Sequence, residues 1–227
     1  MDRTSGKEQP MFANRADAGK TLAAAVARYL AGLEDRADPI VLALPRGGVP
    51  VALEVALALG LPLGLALVRK VGVPGYEELA AGAVIDGDAP EFVPNEQVMR
   101  EARLTRRDLE PVIARELAEI DKRRQTYLRG REPAPVAGRT VIVVDDGIAT
   151  GATVRAALRG LRRRAPARLV LAVPVAPADT LARLKDAVDE IICLQVPADF
   201  RAVGLYYRDF SQTTDVEVMA ALDTAAS

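Results

Sequence analysis

Two adjacent carboxylates, Asp145 and Asp146, follow directly on a run of four β-branched apolar residues at positions 141–144. Such a run is typical of a fully buried strand in a parallel sheet. A short segment of glycine, alanine and threonine comes next, and apolar residues at helical spacing resume at Val154. A strand, an acidic pair, a small-residue loop and a helix start are the parts of an anion-binding site at the carboxyl edge of a parallel sheet.

Each part of this segment suits a different chemical group. The start of the helix presents unpaired N–H groups, and Gly147 and Gly151 allow the backbone to approach a phosphate closely. Carboxylates repel phosphate but suit hydroxyl groups or a hydrated divalent cation, so a phosphorylated ribose is the natural ligand. The alternative is that the pair only ends a strand and caps a helix. The tandem carboxylates, with Thr150 and Thr153 able to donate to a phosphate, favour the functional interpretation.

Two other predicted strand ends carry cations. Arg46 precedes Gly47 and Gly48 in a second glycine turn between an apolar run and a predicted helix, where it would supply a fixed cation for another phosphate group. Taken alone, that turn could equally be only a tight connection. Arg69 and Lys70 follow the next predicted strand and suit either the stabilisation of a leaving anion or a solvated strand end.

The spacing of apolar residues predicts alternating strands and helices. Strands are predicted at 40–44, 63–68, 79–85, 140–144, 168–173 and 190–194, and helices at 14–33, 49–59, 95–131 in two pieces, 151–164, 177–187 and 215–222. Pro111 is expected in the first turn of a helix capped near Asp108. The segment 69–75 has too many glycines and prolines for the interior of an element. This order predicts a parallel sheet with helices on both faces.

The composition excludes several classes of chemistry. The chain of 227 residues has no histidine, which removes histidine-based triads and histidine-ligated metal sites. Its single cysteine, Cys193, is expected to be a small buried hydrophobic residue. With 30 basic and 31 acidic residues, nothing in the overall charge points to a nucleic acid or a membrane surface. The polar residues 1–10 do not resemble a signal peptide, so a cytoplasmic protein is expected.

The run at 141–153 resembles the phosphoribosyl pyrophosphate (PRPP) signature of type I phosphoribosyltransferases: four apolar residues, two acids, two variable positions and then small-Thr-Gly-x-Thr. The resemblance extends over about 40–209, apart from 86–131, and is greatest to bacterial members of unassigned substrate. It implies an α/β fold with a central parallel, Rossmann-like sheet and helices on both faces. It further implies one domain over 1–227, with a helical insertion at about 86–131 and a small hood at about 196–227.

The resemblance also implies roles for individual residues. Asp145 and Asp146 would hold the ribose hydroxyls, directly or through Mg²⁺, and Lys70 would join them in catalysis. The 5′-phosphate would bind to Gly147, Ile148, Ala149, Thr150, Gly151, Ala152 and Thr153, and pyrophosphate would bind to Arg46, Gly47, Gly48 and Arg69. The family often has a non-proline cis peptide in the pyrophosphate loop, which corresponds here to Pro45–Arg46. A mobile loop is implied after the second strand, near 69–75.

Four of the nine phenylalanine and tyrosine residues lie within positions 200–210. This enrichment resembles the hood segment of the family, in which an aromatic side chain stacks on the base. Phe200 and Tyr206 are therefore the expected base-binding residues. The alternative is a small satellite core under the C-terminal helix, and it applies equally to Tyr206 and Phe210.

The activity implied by the resemblance is transfer of ribose 5-phosphate from PRPP to a nitrogenous base, or the reverse reaction with pyrophosphate. One departure concerns the base: Ala149 stands where hypoxanthine–guanine enzymes have an aspartate that handles a purine proton. Two alternatives remain, a non-catalytic PRPP or nucleotide regulator and an unrelated phosphate-ester enzyme that uses Asp145. The expected partners are PRPP, a nucleobase-like molecule and a second copy in a homodimer. The long charged helix is expected to be an added cover or an association surface.

Overall fold

The computed structural model describes residues 11–86 and 90–226. Residues 1–10, including the segment compared with a signal peptide, lie outside the described residues. A five-stranded sheet forms the centre of the fold, and every neighbouring pair of its strands is parallel. Its strands are β1 (Ile40–Ala43), β2 (Leu63–Leu65), β6 (Thr140–Val144), β7 (Arg168–Val175) and β8 (Glu190–Gln195), in the spatial order β2-β1-β6-β7-β8.

Helices cover both faces of this sheet, as the order of elements predicted. Alternate residues of a strand point to opposite faces, so Val41 packs with one apolar layer and Leu42 with the other. The first layer contains α1 (Arg15–Ala31), α2 (Gly48–Leu59) and α7 (Asp215–Ala225); the second contains α5 (Ala152–Arg163) and α6 (Ala178–Leu184), which a 3₁₀ turn (Lys185–Ala187) extends. Cys193 is half-buried on β8, and burial raises the pKa of its thiol to about 11.

A second, antiparallel sheet departs from the sequence-based prediction. Its strands are β3 (Val68–Val73), β4 (Tyr76–Ile85) and β5 (Glu91–Pro94). The prediction of one strand at 63–68 is wrong, because the chain leaves the parallel sheet after Leu65 and enters this second sheet at Val68. An unbroken apolar run does not show where one strand ends and another begins.

The segment 69–75, predicted to lie outside any element, forms one strand of a β-hairpin and its turn. Val73 pairs with Tyr76 across a two-residue turn, in which Gly75 has a φ of +80°. A Pro–Gly turn requires this left-handed conformation at its glycine, and the proline ring fixes the φ of Pro74 at the position before it. Pro74–Gly75 therefore marks the turn between two paired strands and not an irregular loop.

The stretch between the two sheets contains the predicted helix in two pieces, α3 (Glu96–Glu101) and α4 (Arg106–Leu128). Strand β5 precedes them, so the segment predicted as a helical insertion begins with a strand. Thr105, rather than a residue near Asp108, is the N-cap of α4, and the Asp108 carboxylate accepts from the Thr105 N–H at 2.8 Å. Pro111 therefore lies in the second turn, because the capping box fixes the start of the helix further upstream.

Among the described residues, no helix is long and apolar enough to cross a membrane.

Candidate functional site

The two central strands, β1 and β6, end side by side at the point where the chain direction across the sheet reverses. The connection from β1 through α2 leads to β2 on one side, and the connection from β6 through α5 leads to β7 on the other. Because α2 and α5 lie on opposite faces, a crevice opens between the two loops at the carboxyl edge. Ligands of open α/β sheets bind at such a switch point.

Glycines at the end of β1 allow its loop to approach the acidic pair closely. A Cβ atom on Gly47 would come within 2.2 Å of the Asp146 Oδ2 atom. A Cβ atom on Gly48 would come within 2.6 Å of the Val144 carbonyl oxygen and 2.9 Å of the Asp145 Cα atom. Backbone atoms leave no room for a side chain at Gly48, and a Cβ atom on Gly47 would displace the Asp146 carboxylate, so the structure brings both predicted loops together. The Pro45–Arg46 peptide bond is cis, as the resemblance implied.

Burial strongly affects the acidic pair. Burial, and then the neighbouring Asp146 charge, raise the pKa of Asp145 well above its usual range, although the Asp146 N–H donates to Asp145 Oδ1 at 2.9 Å. Burial also raises the pKa of Asp146, against the opposing effect of Arg15. Two carboxylates held this way favour a ligand that brings positive charge or hydroxyl donors.

Arg15 is a site residue that the sequence analysis missed. It is the first residue of α1, and its Nε donates to Asp146 Oδ2 at 2.8 Å, with the two side chains only 11% and 13% exposed. Its guanidinium carbon lies 3.9 Å from the centre of the Phe210 ring, and a second nitrogen donates to the Ser211 carbonyl at 2.6 Å. Because 131 residues separate Arg15 from Asp146, no local pattern could have identified it.

Tyr207 is a second residue that was missed, although its neighbour Tyr206 was selected. The Tyr207 hydroxyl donates to the carbonyl oxygen of Asp146. Burial, and then the Asp146 charge, raise the pKa of Tyr207, so the phenol remains a donor. Tyr207 packs in a small cluster with Phe12 and Phe210, which shows that a satellite core forms here, beside the start of α1 rather than under the C-terminal helix.

The loop after the acidic pair has the geometry of an anion site. Gly151 has a φ of +77° and is the N-cap of α5, and among the described residues no side chain caps that helix. Thr150 and Thr153 are exposed at its start, so their hydroxyls and the first N–H groups of α5 can face a bound anion. Ile148 is buried and its N–H donates to the Val175 carbonyl at 2.9 Å, so this residue anchors the loop.

Ala149 contributes backbone, not side-chain chemistry. Its carbonyl oxygen accepts from the Thr180 hydroxyl at 2.8 Å, and a Cβ atom on Gly151 would come within 2.8 Å of the Thr180 methyl group. The loop is thus fastened to α6 on its far side. The side chain of Ala149 is exposed but offers no acid or base at this position.

Two N–H groups in the turn after β1 already form hydrogen bonds to nearby backbone carbonyls. The N–H groups of Gly48 and Val49 donate to the carbonyls of Leu44 and Arg46, at 3.0 and 3.1 Å. The Arg46 guanidinium lies 3.5 Å from Asp215 Oδ1 at the start of α7. Any anion at this turn would therefore rely on the long Arg46 side chain more than on these two N–H groups.

Helix α4 brings further charges to the Arg46 turn. Its residues Glu119, Lys122 and Arg123 line a cavity of about 170 Å³ together with Arg46 and Asp215, and Arg123 pairs with Glu119 at 3.1 Å. Tyr127 of α4 donates to Asp215 Oδ1 at 2.6 Å, and burial, followed by this hydrogen bond, raises the pKa of Tyr127 to about 12. The contact joins α4 to α7 beside the turn. The charged helix thus adds cations next to a predicted pyrophosphate residue.

The remaining predicted cations lie on the second sheet. The Arg69 Nε donates to Glu116 Oε2 of α4 at 2.8 Å, so this side chain is held by a carboxylate rather than directed at the Arg46 turn. Lys70 is half-buried, and as the next residue of β3 it lies on the opposite face of the strand.

The two predicted base-binding aromatics stack on each other. The Phe200 and Tyr206 ring centres are 5.8 Å apart, with an angle of 9° between the rings. Tyr206 ends a 3₁₀ turn (Val203–Tyr206), whose Val203 side chain lies against Gly147: a Cβ atom on that glycine would come within 2.5 Å of it. This contact places the aromatic pair beside the loop that follows the acidic pair.

Mg²⁺ fits the donor set at this edge of the sheet. The cation is usually held by one or two carboxylates, with substrate oxygens and water completing its shell. Asp145 and Asp146 supply two such carboxylates, and among the described residues no larger group of acidic, cysteine or histidine side chains forms a protein-only metal cage.

A family model and two relatives of known sequence agree on the family that this chain resembles. Residues 14–209 match the phosphoribosyl transferase domain family. Over 215 residues the chain is 46% identical to Mycobacterium tuberculosis proteins named "Putative phosphoribosyl transferase", one from strain H37Rv and one from strain CDC 1551. This alignment covers 95% of the chain but 47% of each relative, so the chain spans about half their length.

Solved structures resemble the whole fold. The crystal structure of TT1426 from Thermus thermophilus has a TM-score of 0.85 and 46% identity, over 96% of this chain and 100% of that one. The structure of AQ2163 from Aquifex aeolicus has a TM-score of 0.50 at 14% identity, over 92% of this chain and 86% of that one, and at that identity it supports the fold alone.

Proposed function

The chain belongs to the phosphoribosyl transferase family, and from this premise we propose that it transfers ribose 5-phosphate from PRPP to a nitrogenous base. The observation that carries the proposal is the junction at the switch point. There the glycine turn after β1 lies against the half-buried acidic pair, and the loop that follows the pair leads to an uncapped helix start. A ligand that carries a diol between two phosphorylated ends matches these three groups in order.

In the proposed reaction the base nitrogen forms a bond to C1 of the ribose as the C1–oxygen bond to pyrophosphate breaks, and the electron pair leaves with pyrophosphate. Asp145 and Asp146 would orient the ribose hydroxyls and stabilise positive charge on the ring. Residues 147–153 would hold the 5′-phosphate, and Arg46 with the cations of α4 would face the leaving group. When bound by the acidic pair, Mg²⁺ would neutralise charge on the diphosphate.

Recognition of the base is assigned to the hood. The stacked Phe200 and Tyr206 rings offer an outer face to a planar ligand beside Gly147. A proton released by the base cannot pass to residue 149, since Ala149 has no titratable group. The proposal therefore favours a base that does not require an acidic partner at that position.

The decisive experiment is calorimetry with Mg–PRPP, followed by a screen of purine, pyrimidine and other heterocyclic bases for pyrophosphate release. We expect binding by the wild type and loss of binding or turnover in the Asp145→Asn/Asp146→Asn variant. Asp121→Asn, an exposed acid on α4, is the matched control and should behave as wild type. A wild-type chain that does not bind Mg–PRPP would contradict the proposal.

Ala149 favours one second candidate, a PRPP- or nucleotide-binding regulator without turnover. The same screen separates the two functions. Tight binding of Mg–PRPP with no pyrophosphate release on any base would support the regulator, whereas release that depends on one base would support the transferase.

A further inference from the structure

A basic cleft leads away from the phosphate loop along α5. It has a volume of about 210 Å³ and opens beside Thr150 and Gly151. One wall is apolar and comes from the second sheet and α3, with Leu79, Val93 and Val98 among its residues. The facing wall is basic, and its arginines are Arg155 and Arg159 of α5 and Arg183 of α6.

The basic wall extends into a neighbouring cavity of about 180 Å³, which the same three arginines line together with Arg162 and Asp186. Two of these arginines have carboxylate partners: Arg162 pairs with Asp189 at 3.0 Å and Arg183 with Asp179 at 2.7 Å. Within residues 11–86 and 90–226, neither Arg155 nor Arg159 forms an ion pair.

These two unpaired arginines repel each other in the free protein. They are four residues apart on one helix face, where like charges repel. Burial, and then the Arg155 charge, lower the pKa of Arg159, which still leaves the guanidinium charged. The arrangement of the two arginines on a cleft wall suits an anion that comes from solution.

The spacing of the arginines along α5 indicates the length of that anion. Helix α5 begins at Ala152. With a rise of 1.5 Å per residue, Arg155 and Arg159 lie roughly 5 and 10 Å along the axis from the helix start. Their long side chains can therefore reach successive charges that continue from the phosphate loop, which a single 5′-phosphate would not provide.

We propose that Arg155, Arg159 and Arg183 bind the outer phosphates of a nucleoside 5′-diphosphate or 5′-triphosphate. Its first phosphate lies in the loop 147–153, so this inference rests on the phosphate-binding role in the proposed function. The nucleotide then competes with PRPP for that loop, and the cleft makes the domain sensitive to the phosphorylation state of nucleotides.

Calorimetry with the mono-, di- and triphosphates of adenosine and of guanosine tests the proposal, with inorganic triphosphate as a separate arm. We expect the affinity of at least one series to rise fivefold or more from mono- to triphosphate. Arg155→Gln/Arg159→Gln should weaken triphosphate binding at least tenfold but change monophosphate and Mg–PRPP binding less than twofold. The matched control is Arg163→Gln, on the same helix, whose guanidinium pairs instead with Glu91 at 2.6 Å.

Each other outcome has a defined meaning. An affinity that does not rise along either series, or an equal loss of mono- and triphosphate binding in the double variant, overturns the cleft assignment. If inorganic triphosphate binds as tightly as the nucleotides and does not displace PRPP, the proposal that the ligand is a nucleotide is wrong. Retained triphosphate binding by a wild type that does not bind Mg–PRPP leaves the cleft supported and contradicts the transferase alone.

Discussion

At the scale of single residues, the Arg15–Asp146 ion pair shows how the site depends on charges that are distant in sequence. Both side chains are nearly buried, and the Asp146 carboxylate would otherwise face Asp145 with no cation of its own. Breaking a buried pair by removal of one partner leaves an uncompensated charge, which costs about 3–5 kcal/mol in typical cases. Arg15 therefore holds Asp146 in place in the free protein.

We expect Arg15→Gln to lower the free energy of unfolding by about 2–4 kcal/mol, measured by urea denaturation, for the reason just given. Adding Asp146→Asn removes the uncompensated charge, so the double variant should be more stable than the sum of the single effects by more than about 1 kcal/mol. Arg28→Gln, exposed near the other end of α1, is the control. Strictly additive effects would show that the two charges do not interact.

The sequence predicted the site residues that are contiguous but not those that come from distant parts of the chain. The acidic pair and the loop that follows it are contiguous, so one run of residues was enough to indicate strand, loop and helix. Arg15 and Tyr207 reach Asp146 only because of tertiary structure, and each resembles an ordinary helix or core residue locally. Arg69 was selected for its position after a strand, but a partner on α4, Glu116, decides where its side chain points.

At the scale of elements, the parallel strands β1, β6, β7 and β8 were predictable because each is a continuous apolar run, and the helices beside them because their apolar residues recur at helical spacing. The second sheet was not, since an apolar segment runs on from β2 into β3, and the Pro–Gly turn that joins β3 to β4 lies in a stretch that looked like a loop. The position of α4 was equally hidden, because a helix with charges on most faces does not reveal which neighbour it covers. In the structure it lies beside both Arg69 and Arg46.

That position of α4 gives the charged segment a testable role. If its cations serve the leaving group, Lys122→Gln should raise the Kd for pyrophosphate about fivefold, because one cation facing the anion is lost. Binding of ribose 5-phosphate should not change, since that ligand lacks the pyrophosphate end. Calorimetry with both ligands measures this, with Lys20→Gln, exposed on α1, as control. An equal effect on both ligands would instead indicate a general change of charge or fold.

At the scale of the whole molecule, the crossing of α1 over α2 links the apolar core to the site. The two helices meet at Gly19, where a Cβ atom would come within 2.6 Å of the Val51 carbonyl oxygen and 2.8 Å of the Glu54 Cβ atom. Since α2 begins at the glycine turn and α1 begins at Arg15, this close approach sets the distance between two parts of the candidate site.

We therefore expect Gly19→Ala to destabilise the domain, although alanine favours a helix interior over glycine by about 1 kcal/mol. Backbone atoms oppose the added methyl group, so the helices must separate, and overpacking of this kind typically costs about 1–3 kcal/mol. Gly32→Ala is the matched control at the end of the same helix, where φ is −82° and the nearest atom would lie 3.5 Å away. Urea denaturation should show a lower midpoint for Gly19→Ala alone. A variant as stable as wild type would mean that the α1–α2 crossing tolerates separation and does not fix the position of Arg15.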